Sequence, residues 1–549
     1  MLPSPTSSPR AILEDRLNVE VTPPRKRKSS LPTPPKSGAI ASRKRPAKKP
    51  VQEKSRKKAK TCETVEEATE DETEEEDSAL FEESDEDEPL LPSRARRRTV
   101  FHAQSSFVST SANTYRGLDI STRPVLESFV SSLKSDVYTC QSLHANSFLT
   151  PPYACAYSHA AKSGGVPLLA VATEEGTVQI INTSKRKPWD PEPVRNILQP
   201  HENGIFDVKW DRTNSHIVTC SGDQSSRITS VEKNVVTHVL HGHTSTVKTA
   251  SWDPTNDALL ATGGRDGTIC LWDLRTSTSS STTNGAPVLE PVVVILNAHG
   301  SPTAPKPKTE AKPKARNAKK LTSVPMPKTV TSLLYPESQS YGLVSSSASD
   351  GILRFWDLRK PATPQRSRST KSKLPTVLYS TTLDPTTLNG SKRPRGITSL
   401  VQGFGPTSGL VFGLGHDSKI HTYSLPTLTA QPACFSEDSM QTSSFYVGLS
   451  LSPCGNWLAC GASNPRSSSF LFEVSGAGKV GANVQAQRAV ELRGQNGEMG
   501  AVDWADNCLA TCADDGTVRV WRPDVEAHRQ CMDNPDEARW DWCWSRQIV

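Results

Sequence analysis

The chain has no Cys-x-x-Cys pair among its 12 cysteines, and its closest spacings, Cys454 to Cys460 and Cys508 to Cys512, have no histidine cluster beside them. That excludes the usual zinc-ligand patterns and leaves buried thiols as the expectation. Long apolar runs are also missing: stretches such as Val292 to Leu296 fall far short of the ~20 residues of a membrane-crossing helix. After Met1 come Pro3 and Ser4 rather than the charged end and apolar centre of a secretory leader. A soluble, intracellular protein with no membrane partner is expected. Catalytic signatures are absent as well, with no Gly-x-Ser-x-Gly, no His-Glu-x-x-His, no phosphate loop and no supported Cys/His pair. His241-Gly242-His243 reads as the turn of a repeat, not as a metal pair. The expectation is a binding protein with no catalytic residues, no metal and no cofactor.

What is present is charge, unevenly placed. The net +6 over 549 residues averages two opposite segments near the N-terminus. Arg25, Lys26, Arg27, Lys28, Arg43, Lys44 and Arg45 open a basic stretch reaching Lys60 with Glu53 its only acid, and Glu63 to Glu88 is strongly acidic. Self-repulsion and the lack of apolar residues forbid a core there, so residues 1–105 read as a disordered arm. Clustered Lys and Arg suit nuclear import or attraction to DNA phosphates. Thr22-Pro23-Pro24-Arg25 and Thr33-Pro34-Pro35-Lys36 resemble cyclin-dependent kinase sites, which makes Thr22 and Thr33 the phosphorylation candidates.

Beyond the arm the chain repeats itself. Asp266-Gly267 leads through alternating apolar residues to Trp272-Asp273-Leu274-Arg275, and Asp350-Gly351 leads likewise to Trp356-Asp357-Leu358-Arg359. Such segments mark blades of a β-propeller. Thr262 stands four residues before Asp266, and the same offset picks out Ser346 before Asp350 and Thr511 before Asp515 and Trp521. Blades resembling WD repeats use such a Ser/Thr, Asp and Trp with a His, here His243, as a buried hydrogen-bonded set. Weaker repeats at Glu174-Glu175-Gly176, Gly222-Asp223-Gln224, Gly415-His416-Asp417 and Phe445 to Phe472 bring the count to seven. The fold class is therefore all-β, a seven-bladed WD-repeat β-propeller over 137–522 with a long N-terminal arm. Gly176 and Gly267 lie 91 residues apart, two blades at the usual spacing of about 40–45. Basic loop insertions are expected at about 300–325 and 361–395.

Within a pre-propeller segment at 106–136, Val125, Leu126, Phe129, Val130 and Leu133 recur with a helical period after Pro124, which predicts a short amphipathic helix. It either caps the ring or docks a partner. The C-terminal tail, 523–549, holds Trp540, Trp542 and Trp544, readable as an edge strand packed on the wall or as an exposed anchor.

Each Arg that follows Trp-Asp sits where a strand leaves its blade, on one common face. A rigidly forked guanidinium there either makes a local salt bridge or recognises a partner's carboxylates or carbonyls. Trp-Asp-x-Arg with the upstream Asp resembles the motif by which WD-repeat substrate receptors dock on the damaged-DNA-binding adaptor of cullin 4 ubiquitin ligases. Within that group the chain resembles the denticleless family, on Ala170 to Gly176, Phe206-Asp207-Val208-Lys209-Trp210, Gly263 to Gly267, Asp350 to Lys360, and Phe445-Tyr446-Val447 with Leu449 to Pro453. The resemblance implies a non-catalytic receptor that acts in the nucleus on degron-bearing substrates held on the DNA-loaded sliding clamp, the replication-licensing factor among them. It implies adaptor docking by Asp266, Trp272, Asp273, Arg275, Asp350, Trp356, Asp357 and Arg359, with Leu126, Phe129 and Val130 as a second element. It further implies an acidic or carbonyl-rich patch on the opposite face, which Glu174, Glu175, Arg227 and Arg265 reach or miss according to how their loops are oriented. The alternative is a nuclear scaffold of chromatin or ribosome assembly that contacts nucleic acid weakly through its basic arm.

Overall fold

A computed structural model describes residues 121–546 apart from 132, 144–147, 188, 277–281, 284, 301–326, 340, 360–374, 389–390, 392, 464–467, 480–487 and 535–542. The basic clusters of the arm, Thr22 and Thr33, most of the first insertion, and Trp540 and Trp542 lie outside the described residues.

The innermost strands, Pro152–Tyr157, Ile205–Trp210, Val247–Trp252, Val330–Leu334, Ile397–Gln402, Leu449–Leu451 and Met499–Trp504, each begin one antiparallel blade and line a central channel of about 560 Å3. The ring is a seven-bladed β-propeller. Each inner strand is a sheet edge with backbone N–H groups to satisfy. Side chains of the preceding blade do this. Asp207 accepts from the Ala250 N–H at 2.9 Å, Ser251 from Tyr335 at 3.4 Å, and Ser332 from Leu400 at 3.2 Å.

Tight turns join the second and third strands. Gly176, Gly267 and Gly516 hold positive φ there (83°, 73° and 76°), the region a residue without Cβ enters freely, and Gln224 and Ser418 adopt it in blades 2 and 5. The ring closes with a strand from each end of the sequence: Val137–Thr139 pairs with Thr517–Pro523 as the outer strand of blade 7.

Two expectations meet corrections, and a third, open between an edge strand and an exposed anchor, meets its edge-strand alternative. The helix ends at Glu127 after only five residues, Arg123–Glu127, and the chain turns into the strand Phe129–Ser131. So short a helix has little stability of its own, whereas Phe129 and Val130 find backbone partners in Pro523 and Arg522, and Val130 and Ser131 in Trp544 and Cys543. Leu126, Phe129 and Val130 are 1–3% exposed. The Phe129 ring meets Trp457 and Trp504 edge-on at 6.1 and 5.5 Å. They anchor the segment to the core, and the assignment of these three residues to a docking surface is overturned. Secondly, Thr376–Ser380, inside the stretch read as a loop insertion, is the outer strand of blade 4, paired with Arg354–Asp357. Thirdly, the tail strand Cys543–Arg546 also pairs with Val490–Arg493 of blade 6, so the rims of blades 6 and 7 are stitched into one continuous sheet. Trp544 thus lies on a wall strand.

Candidate functional site

Blade 3 carries the full WD set. Trp272 donates its Nε1–H to Thr262 Oγ1 at 2.9 Å, Thr262 bonds His243 Nε2 at 2.8 Å, and His243 Nδ1 lies 3.1 Å from Asp266. Asp266 also accepts from Thr244 N and from Thr268. Although burial works against its charge, the bonds from His243 and Thr268 hold Asp266 well below the usual carboxylate range. Blade 7 substitutes Gln495 for the histidine: Trp521 donates to Thr511 at 2.9 Å, and Thr511 donates to Gln495 Oε1 at 2.6 Å. Asp515 caps its turn through the N–H groups of Thr517 and Asn496. Without a preceding glycine, His201 still fills the histidine role in blade 2, bonded to Asp223 and Thr219 at 2.7 and 2.8 Å.

Blade 4 departs from the expected offset. Trp356 donates to Ser345 at 2.9 Å, not to Ser346, and His299 Nε2 meets the same hydroxyl at 2.9 Å. The partners are 11 residues apart there against 10 in blade 3, because the turn holds one residue more. Ser346 faces Thr331 instead. Asp350 pairs with Lys328 at 2.8 Å and takes no histidine.

These networks put Asp266, Trp272 and Trp356 inside the blades, Trp272 and Trp356 being 2% and 5% exposed. Their role is to fix the strand that ends in Asp-x-Arg. Register then separates two rims. Gly263 pairs with Ile269 beside the Asp266 turn, and Leu259 pairs with Asp273 at the other end, so Arg275 emerges on the rim opposite that turn. Blade 4 repeats this, with Gly342 opposite Asp357. On this exit rim Arg275 forks onto Asp273, Nε and Nη2 both at 2.8 Å, and the Asp273 carboxyl lies below its ordinary value through that contact. Arg359 holds Asp357 more loosely, at 3.3 and 3.5 Å, and stacks on the Tyr341 ring with its guanidinium carbon 3.3 Å from the centroid. Both side chains stay open to solvent, 62% and 58%. Their clamps fix direction while leaving N–H donors outward.

The turn rim has a different chemistry. At the channel mouth Phe206, Tyr153 and Tyr446 form a three-ring stack, with centroids 5.7 and 5.0 Å apart and planes within 10°, and Phe445 leans on it. Burial and a hydrogen bond to Glu174 push the Tyr153 hydroxyl up. Burial raises both Glu498 and Asp514, helped by repulsion from Asp514 on the first and from Asp515 and Glu174 on the second. Of the loop residues expected near this face, Glu174 reaches the mouth and Arg265 is exposed on the turn, whereas Arg227 turns inward to the Pro200 carbonyl and Asp223. Sequence reading missed the mouth as a site. Its members stand near the starts of inner strands in different blades, and only closure of the ring brings them together.

Comparison with known proteins fits this architecture. The family model described as "WD domain, G-beta repeat" matches residues 192–229, 234–273 and 489–522. The chain is 31% identical over 384 residues to the denticleless protein homolog of Homo sapiens, covering 68% of this chain and 46% of that one. It is 31% identical over 386 residues to the Danio rerio homolog, covering 69% and 53%. With the protein lethal(2)denticleless of Drosophila melanogaster it shares 28% over 369 residues, 65% of this chain and 43% of that one. The chain thus spans about half the length of the curated relatives it matches. With its propeller, its paired Trp-Asp-x-Arg exits and these likenesses, the chain belongs to the denticleless family of WD-repeat proteins.

Proposed function

We propose that this chain is the non-catalytic substrate-recognition subunit of a cullin 4 ubiquitin ligase. Its exit rim docks on the damaged-DNA-binding adaptor, and its turn rim presents substrates, the licensing factor and other proteins bound to the sliding clamp, during DNA synthesis or after DNA damage. The site of action is the nucleus. One observation carries the reading: Arg275 and Arg359, from adjacent blades, reach the same rim, each fixed by its own Asp yet more than half exposed. A structural role alone needs no such exposure, and paired, pre-oriented guanidinium groups suit recognition of a partner's carbonyls and carboxylates. On the other rim, Glu174, Glu498 and Asp514 beside aromatic rings supply the acidic patch that this reading requires.

The test is co-purification of the full chain with the adaptor. Arg275→Ala combined with Arg359→Ala is expected to abolish co-elution while leaving the melting temperature unchanged. Undiminished co-elution of the double variant overturns the docking assignment.

A further inference from the structure

Lys248 is the exception among the lysines of the channel. Lys162 reaches Asp503 at 3.0 Å, and Lys209 reaches Asp207 at 3.4 Å. No carboxylate stands within ion-pair distance of Lys248 among the described residues. Its Nζ lies against rings instead, 3.1 Å from the Phe445 centroid, 4.0 Å from Phe206 and 5.9 Å from Tyr446. The groups acting on it are Arg265 on its own blade's turn, which repels it, and Asp207 on the preceding blade's inner strand, which attracts it from beyond contact. Burial, then Arg265, lower the amine to about 7. Ring faces replace only part of the water that a primary ammonium loses. The position is thus short of one anionic partner, at the open mouth of a channel, beside a flat aromatic stack.

We propose that Lys248 is the receiving group of a peptide subsite: the carboxylate of a ligand Asp or Glu side chain pairs with its amine while the neighbouring apolar or aromatic residue of the ligand lies on Phe206, Phe445 and Tyr446. The subsite rests on the reading that the turn rim presents substrate, and it adds a polarity to that face. Glu174, Glu498 and Asp514 bear on Tyr153 and Tyr446, across the rings from the lysine. A peptide is therefore held with its acidic residue toward blade 3 and any basic residue toward blades 1 and 7, and a reversed peptide meets like charge at both ends.

Binding follows the state of the amine. Below pH 7 it is protonated before the ligand arrives; above pH 7 it must take up a proton on binding, so the carboxylate's advantage declines as pH rises. The ligand carboxylate itself stays ionised throughout this range.

The probes are acetyl-Phe-Asp-amide and its neutral counterpart acetyl-Phe-Asn-amide, titrated into the full chain by NMR with lysine carbon labelling. At pH 6.5 the Asp peptide is expected to bind about tenfold tighter, which corresponds to about one unit of rise in the amine's pKa. By pH 8.5 most of that difference should be gone. Lys248→Gln should abolish the preference, and Lys248→Arg should keep it without the pH dependence. Equal affinities at pH 6.5, or no binding of either peptide, overturn the carboxylate subsite.

Ubiquitination of a clamp-bound substrate by the assembled ligase separates the two layers. If Tyr153→Ala with Tyr446→Ala abolishes it while Lys248→Gln leaves it intact, the turn rim remains the substrate face and the Lys248 assignment falls. If none of these variants changes it, the substrate-face reading itself falls.

Discussion

Asp503 accepts the Tyr157 backbone N–H at 2.7 Å, from the inner strand of blade 7 to that of blade 1, across the seam where the first and last parts of the ring meet. Its other oxygen receives the Ser450 hydroxyl at 2.7 Å and the Lys162 ammonium at 3.1 Å. One carboxylate therefore ties three blades. Asp503→Ala leaves a buried N–H and a buried hydroxyl without acceptors and is expected to cost about 2–4 kcal/mol. Asp503→Asn keeps an acceptor and should cost less. Denaturant unfolding of both variants checks the order.

The longer turn of blade 4 makes a sharper prediction. Ser345→Ala removes the acceptor of Trp356 and the donor to His299, and about 1–3 kcal/mol should be lost. Ser346→Ala breaks a contact with Thr331 that a neighbouring carbonyl partly replaces, so about 1 kcal/mol or less is expected. The reverse order in thermal unfolding would restore the offset that blade 3 suggests.

His299 sets a pH dependence. Burial, reinforced by Arg354, lowers it to about 3. The fold therefore favours the neutral ring, and its contribution to stability is complete above the unfolded value of about 6.5 and is lost as pH falls toward 3, at no more than about 1.4 kcal/mol per pH unit. His299→Gln, which can still accept from Ser345, should flatten the slope of stability between pH 6 and 4. An unchanged slope in urea titrations would assign the acid sensitivity elsewhere.

The blades were legible because Asp-Gly turns and Trp residues recur at fixed offsets, and those offsets express real hydrogen bonds. Ser346 was misplaced for the same reason. Counting back from Asp350 assumes a turn of constant length, and one added residue moves the hydroxyl that faces Trp356 without altering the motif around it. Phe129 and Val130 were ambiguous in another way. Their spacing suits a helix, but the strands that capture them, ending at Pro523 and Arg546, are almost the whole ring away in sequence. No local window holds that information. The aromatic mouth was hidden similarly, since Tyr153, Phe206, Lys248 and Tyr446 come from separate blades.

The outer strand of blade 7 also bears on how this ring is made. Val137–Thr139 leaves the ribosome early and waits for Thr517–Pro523, while Phe129–Ser131 waits for that strand and for Cys543–Arg546. Through most of translation these edges have no partner, so the nascent ring is an open arc with two exposed, apolar ends. Ring closure is then a long-range event that must wait for Thr517–Pro523 and Cys543–Arg546, and self-association of half-made chains competes with it until those strands emerge.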